Sequence, residues 1–255
     1  MKLEKNEFYK VRALIKEIEF DAHYAYSIVN CTQEGEIYVD NNEHPTSALM
    51  KHCCGFAYTL GDPDNQGFNQ LLHNLFRSKQ KPTVLLYANK DWESSILQFS
   101  DLSFLPRQRF YFKHDSNSFH IENYPLPSGY QIIPIDHTIY ETLTGKVIPR
   151  YYWKSSDDFL TNGYGVCLVN SNGHIVSSSF SSCIANNCMD IGIQTEPGYE
   201  GHGFATLTAA RMVWYAIYHG YTPIWGCHLK NVGSYSVAYK LKFIKNGIWN
   251  TLCIN

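Results

Sequence analysis

Phe8, Val11, Ile15 and Ile18 recur at the spacing of one helix face, which predicts an amphipathic helix over residues 7–19. Apolar and β-branched runs at 36–39 and 56–60 read as strands, and Gly61-Asp62-Pro63-Asp64 is a strong turn. Phe68, Leu71, Leu72, Leu75 and Phe76 then form a wide apolar stripe on a second helix. A strand at 83–87, a short helix at 92–99 and a strand at 109–112 complete this half. Helices and strands alternate, so the class is α/β, or α+β with a mixed sheet.

The polar, proline-punctuated stretch 114–129 reads as a linker and sets the expected domains at 1–127 and 128–255. A strand at 130–135 opens the second half. Helical patterns follow at 137–146 and over Ser155-Ser156-Asp157-Asp158-Phe159-Leu160 up to Gly163, the latter with a serine cap. Strands at 165–169 and 174–180 flank Asn172-Gly173, a strong hairpin signal. A strand at 189–195 leads into a glycine-bearing loop. An almost uncharged helix follows at 205–219, with Arg211 its only permanent charge. A strand at 224–227 and a helix at 231–242 end the pattern.

Composition changes this picture mainly by exclusion. The 255 residues are 44% hydrophobic, ample for a core, and the net charge of -2 offers no basic face for nucleic acid. No apolar run is long enough to span a bilayer, and the opening residues carry no signal core. A cytoplasmic protein without nucleic-acid or membrane partners is expected. The eight cysteines show no CxxC spacing, so reduced, buried thiols are expected. In His52-Cys53-Cys54, neighbours on a strand point to opposite faces, and no metal site is expected.

The chemistry concentrates in Ile191-Gly192-Ile193-Gln194-Thr195-Glu196-Pro197-Gly198-Tyr199-Glu200-Gly201-His202-Gly203-Phe204-Ala205. A strand, a glycine loop and a helix start in that order aim bare N–H groups at an anion. An ordinary glycine turn before a buried helix explains the same residues equally well on local sequence alone.

The order of elements around this loop resembles that of the GNAT acetyltransferases. The family loop Arg/Gln-x-x-Gly-x-Gly/Ala appears as Glu200-Gly201-His202-Gly203-Phe204-Ala205. The family's Asn-x-x-Ser and Lys-Leu-Gly-Phe/Tyr appear as Asn231-Val232-Gly233-Ser234 and Lys240-Leu241-Lys242-Phe243. Residues 129–243 are similar, more narrowly, to the branch associated with zwittermicin-type antibiotic self-resistance. The first half, where the motif is absent, fits a degenerate copy of the same fold. The resemblance implies acetyl-CoA as cofactor, with its pyrophosphate on the N–H groups of Gly201, His202, Gly203, Phe204 and Ala205. It places the pantetheine arm along the strand edge at Ile193, Gln194 and Thr195, where a main-chain N–H would polarise the thioester. Asn231 and Ser234 would touch the arm or the nucleotide. It further implies a small amine acceptor, in the narrower branch an amino-containing antibiotic, attacking directly in a ternary complex. The N-terminal domain would then shape the acceptor cleft or make a dimer contact, so a homodimer is open.

Departures from the family pattern bear on catalysis. Glu200 stands where Arg or Gln is usual, and His202 where Lys is frequent. Ala238 aligns with the usual thiolate-protonating Tyr; Tyr235, one turn earlier, reaches a similar face, whereas Tyr239 does not. Lys242 replaces a helix-closing glycine. Glu196 acting as base through a water, His228 as proton carrier and Tyr235 as acid are the catalytic candidates. Each also reads, and more readily, as an exposed carboxylate, a surface imidazole and a packing ring. Asp190 reads as a solvated or turn-bonded carboxylate. Tyr151, Tyr152 and Trp153 fit an acceptor pocket and an aromatic core equally. The alternative to an enzyme is an acyl-CoA-binding protein with lost or weak catalysis.

Overall fold

The computed structural model describes residues 1–18, 22–78, 82–87 and 90–254. The chain divides into two compact units, Met1–Arg109 with Ile248–Asn255, and Phe110–Gly247. This division falls at 109/110 rather than at 127/128. The reason is packing: Phe119, Ile121 and Tyr124, within the expected linker, lie against the core of the second unit. Tyr124 also donates its hydroxyl to the Lys240 carbonyl at 2.9 Å and accepts from Arg211 at 3.1 Å. The stretch is a strap tied to its own unit.

In the first unit a 3-10 turn (Lys5–Val11) runs into α1 (Arg12–Ile15), followed by α2 (His23–Val29). The predicted helix over 7–19 is thus 3-10 up to Val11 and α-helical only to Ile15, and Glu19 lies outside the described residues. Strands β1 (Gly35–Val39), β2 (Ser47–His52) and β3 (Phe56–Gly61) are antiparallel neighbours. Helix α3 (Gln66–Arg77) crosses over to β4 (Val84–Tyr87), which pairs parallel to β3 from Phe56 to Thr59. α4 (Lys90–Ile96) and β5 (Phe104–His114) follow. Phe68, Leu72 and Phe76 of α3 bury against Leu49, Leu85, Trp92 and Ile96, as the apolar stripe predicts.

The second unit repeats this order. β6 (Gln131–Pro134), α5 (His137–Thr142) and α6 (Ser156–Asn162) precede the antiparallel strands β7 (Gly165–Val169), β8 (Ile175–Ala185) and β9 (Cys188–Thr195). α7 (Phe204–Tyr218) then crosses to β10 (Thr222–His228), parallel to β9, and α8 (Val232–Lys240) leads into β11 (Phe243–Ile254). Thr251, Leu252 and Cys253 of β11 pair with β4 in the first unit's sheet. The sheet of each unit is mixed, as the α/β reading requires. Ala209, Ala210, Met212 and Val213 of α7 pack on Val166, Met189 and Ile191. Trp214 and Tyr218 of the same helix are exposed and stack on each other, so the burial expected on most sides holds for its first half only. Lys242 adopts φ +67, the left-handed turn that the missing glycine would close without strain.

The eight cysteines are thiols. Cys167, Cys183 and Cys227 are buried as expected, but Cys31 and Cys53 are exposed because both sit in turns outside the strands.

His52 gives the first unit an acid-labile point. Its ring is fully buried, its Nδ1 accepts from Cys54 N–H at 3.2 Å, and Nε2 has no hydrogen-bond partner among the described residues. Burial, with the neighbouring His23, depresses its pKa to about 3. The unfolded chain therefore takes up this proton below about pH 6.5 while the folded chain refuses it until far lower. Stability should be fully present above that pH and fall as pH drops toward 3, by about 3 kcal/mol at pH 4 from this group alone. Urea titrations at pH 7 and pH 4 check this. His52→Leu should flatten the difference, and an unchanged difference would assign the acid loss elsewhere.

Candidate functional site

The register of β9 decides which of its main-chain groups are free. Glu196 N–H donates to Val176 C=O at 3.0 Å, and the ladder pairs Ser178 with Gln194 and Phe180 with Gly192. In an antiparallel ladder, bonded and non-bonded pairs alternate. Gly192, Gln194 and Glu196 therefore turn their N–H groups toward β8, while Ile193 and Thr195 turn theirs to the opposite edge. On that edge β10 pairs only with Cys188, Met189 and Asp190, and then the two strands part. The main-chain groups of Ile193 and Thr195 are left facing the opening. From beneath, Ser177 and Ser179 hydroxyls donate to the Gln194 and Gly192 carbonyls at 2.9 and 2.8 Å, which stiffens the strand. This serine support was not read from the sequence; the run Ser177-Ser178-Ser179 in a buried strand was its only signal.

Beyond β9 the loop turns on three glycines at positive φ: Gly198 (+87), Gly201 (+81) and Gly203 (+84). Tyr199 N–H closes the first turn on the Glu196 carbonyl at 3.0 Å. Gly203 caps α7 with no side-chain bond. Among the described residues, the N–H groups of Gly201, His202, Gly203, Phe204 and Ala205 donate to nothing in the chain. A Cβ placed on Gly201 or Gly203 would meet no atom within 4 Å beyond its chain neighbours, so the loop is open on that side. Phe204 anchors the row by burying against Leu168 and Val176, with Tyr130 at a ring distance of 4.8 Å. The positive end of the α7 dipole points into the same space.

The loop's polar side chains are exposed but bond back to the loop's own backbone. The Glu200 carboxylate accepts from Gly198 N–H at 2.7 Å, and His202 Nδ1 donates to the Glu200 carbonyl at 2.9 Å. Glu200 is thus held by the loop itself, and Nε2 is the imidazole atom His202 has left for a ligand.

The catalytic candidates are distributed along three elements. Glu196 is half-buried just past β9, its carboxylate 3.5 Å from the Gln194 amide nitrogen. His228 ends β10, and its Nδ1 accepts from Lys230 N–H at 3.1 Å, so the neutral ring carries its proton on Nε2. Asn231 caps α8 by accepting from Ser234 N–H at 3.1 Å. The Ser234 hydroxyl accepts from the buried Trp225 indole at 3.0 Å. Tyr235 is half-buried and meets Phe110 edge-on at 5.7 Å, while Ala238 is fully buried in the core. Asp190 is buried, bonded to the Ser182 hydroxyl at 2.5 Å rather than solvated. Trp153 belongs to the core and donates to Ser181 C=O at 2.8 Å; Tyr152 packs on Phe180, and Tyr151 is exposed. Gln194 commits its main chain to β8 and its side chain to residues 144–147.

The first unit carries the corresponding turn in closed form. Asn65 caps α3 by accepting from Phe68 N–H at 3.0 Å, and Trp92 donates its indole N–H to the Gly61 carbonyl at 3.2 Å. Asp62 and Asp64 flank the turn, and β3 stays paired with β4 up to Thr59.

A glycine loop with unspent donors thus lies between strands that part and a buried helix on an α/β fold. The GNAT acetyltransferase family model matches residues 12–252, and the chain belongs to this family of N-acetyltransferases, which uses acetyl-CoA. An uncharacterized N-acetyltransferase, YdfB of Bacillus subtilis (strain 168), is 27% identical over 225 residues, covering 86% of this chain and 85% of that protein. A GCN5-related N-acetyltransferase-like protein from Streptococcus suis 89/1591 shares the fold with a TM-score of 0.80 at 21% identity, over 98% of this chain and 99% of that one. A tandem GNAT protein from the clavulanic acid biosynthesis pathway aligns with a TM-score of 0.62 at 13% identity, over 99% and 96% of the two chains. The GNAT-like fold therefore runs through both halves. No helix among the described residues is long and apolar enough to cross a membrane.

Proposed function

We propose that the second unit binds acetyl-CoA at the 196–205 loop and transfers its acetyl group to a small amine by direct attack in a ternary complex. The observation that carries this reading is two unspent sets of main-chain groups on one strand-loop-helix. They are the N–H row of Gly201, His202, Gly203, Phe204 and Ala205, and the outward edge of Ile193 and Thr195. The row suits a pyrophosphate, and the edge suits the amides and thioester carbonyl of a pantetheine arm. When bound, acetyl-CoA supplies an activated thioester.

The chain's residues supply the rest. The N–H of Ile193 or Thr195 stabilises charge developing on the thioester carbonyl oxygen. Glu196 takes the ammonium proton, directly or through a water. His228, with its proton on Nε2, and the Tyr235 hydroxyl are the candidate donors to the departing thiolate. Asn231 and Ser234 keep an amide N–H₂ and a hydroxyl proton for the cofactor, since their oxygens accept bonds within the chain. The first unit is the degenerate copy of a tandem pair, and its closed turn leaves one cofactor site per chain. The similarity of 129–243 to the zwittermicin-type branch supports an amino-containing antibiotic as acceptor. Ala238, buried where the family carries a tyrosine, favours one second reading, cofactor binding with weak catalysis.

Calorimetry should detect acetyl-CoA at one equivalent per chain. No binding at high-micromolar acetyl-CoA would sink both readings. With binding established, free-thiol release across a panel of primary amines separates them: turnover selects the transferase, and binding without turnover selects the second reading.

A further inference from the structure

The Gln194 side chain reaches out of its strand to hold a separate segment. Its Oε1 accepts from Lys146 N–H at 2.7 Å and Val147 N–H at 2.9 Å, and its Nε2 donates to the Thr144 carbonyl at 2.7 Å. Gly145, at φ +137, lies under the amide, which fills the space a Cβ would need. The segment is tied from its other side as well. The Tyr151 hydroxyl donates to Gly145 C=O at 3.2 Å. Arg150 donates to the carbonyls of Tyr140 (3.0 Å), Glu141 and Leu143 (2.8 Å). Irregular backbone between a helix end and a 3-10 turn is thereby given fixed partners along its length, which loops of this kind normally find in water.

We propose that residues 143–147 form a fixed lip bounding the acceptor amine, and that Gln194 is the positioning residue that sets it. This rests on the acetyl-transfer reading above. Gln194 lies between Ile193 and Thr195, whose outward groups would hold the thioester. Its amide nitrogen is also 3.5 Å from the Glu196 carboxylate. One side chain therefore links the strand beneath the acyl group, the candidate base and the lip. A shift of the lip displaces the wall against which the amine is oriented, and misorientation costs rate without any change in the reacting groups.

The test uses the full chain. Gln194→Met keeps the volume and removes the three bonds to the segment; Gly145→Ala dislodges the same amide from the other side. Hydrogen–deuterium exchange without ligand reads the Lys146 and Val147 amides directly. Both variants should exchange there about tenfold faster or more. Gln194→Glu, which keeps an acceptor for both N–H groups but sets its other oxygen against the Thr144 carbonyl and the Glu196 carboxylate, should restore part of the protection. Kinetics with acetyl-CoA and the best amine of a panel (an aminoglycoside, a polyamine, amino-acid amides) should show the acceptor KM of Gln194→Met raised about tenfold. Its kcat should fall as well, because the same change loosens the amine's orientation and removes the neighbour of the Glu196 carboxylate. Its acetyl-CoA affinity should stay nearly unchanged. Unaltered exchange at Lys146 and Val147 overturns the clamp. Faster exchange with an unaltered acceptor KM overturns the lip as acceptor wall. If the wild-type chain acetylates none of the amines, the acetyl-transfer reading fails by itself, and the exchange arm still decides the clamp.

Discussion

Gly203→Val is expected to weaken acetyl-CoA binding at least about a hundredfold, because the new side chain stands on the loop's open side, by the N–H row. A pyrophosphate can reach these donors only while nothing projects past the backbone. Two lost bonds to a charged group, at about 1.5–3 kcal/mol each, give an effect of that order. The φ of +84 adds a separate cost of about 1–2 kcal/mol to folding. Gly198→Val separates the two effects. It imposes similar strain at φ +87, but the Gly198 N–H is already taken by Glu200, so no cofactor donor is masked. Calorimetry should find Gly203→Val defective and Gly198→Val near wild type. Equal weakening in both would mean that loop strain, not phosphate access, controls binding.

The second large effect is expected from proline on β9. Proline deletes an N–H, and in most strands that breaks the ladder. Here the N–H groups of Ile193 and Thr195 face away from β8, so Ile193→Pro and Thr195→Pro leave that ladder's bonds intact. One of the two should lower kcat by about 10²–10³, the usual loss when an oxyanion donor is removed. The variant that does so identifies the polarising group. Thermal melts should remain cooperative in both. If neither proline lowers kcat, the thioester is polarised by something other than this strand.

Much of the second unit was legible because its signals are local. Ser155 caps α6 as its spacing predicted, with its hydroxyl 3.1 Å from Asp158 N–H. Strand 165–169 was read at its observed bounds, and the helix over 205–219 begins one residue earlier than predicted. The Asn172-Gly173 signal found the right hairpin but not its form. Asn170 accepts from Asn172 and His174 N–H groups, so a longer loop joins β7 and β8. Helix α2 and strand β2 were not read. α2 buries His23, Tyr24 and Ser27 beside Ala25, Ile28 and Val29, so burial on nearly all sides erases the helical period. β2 is buried along nearly its whole length, which likewise removes alternation. At the site, the sequence located the loop and strand but could not orient them. The outward edge of Ile193 and Thr195 and the reach of Gln194 to 144–147 depend on register and long-range contact. The order of residues along the chain encodes neither directly.

The uncapped start of α7 sets resting stability against ligand affinity. A side-chain cap at such a turn adds about 1 kcal/mol, and α3 of the first unit has one in Asn65. α7 goes without, so the second unit rests below the stability its own backbone would allow, and an anion bound there would restore the difference. A screen of this chain for heat resistance alone would therefore be drawn toward loop changes that relax the positive φ at 203 and let a side chain cap α7. The variants it favoured there would be those whose own side chains had taken the place of the cofactor.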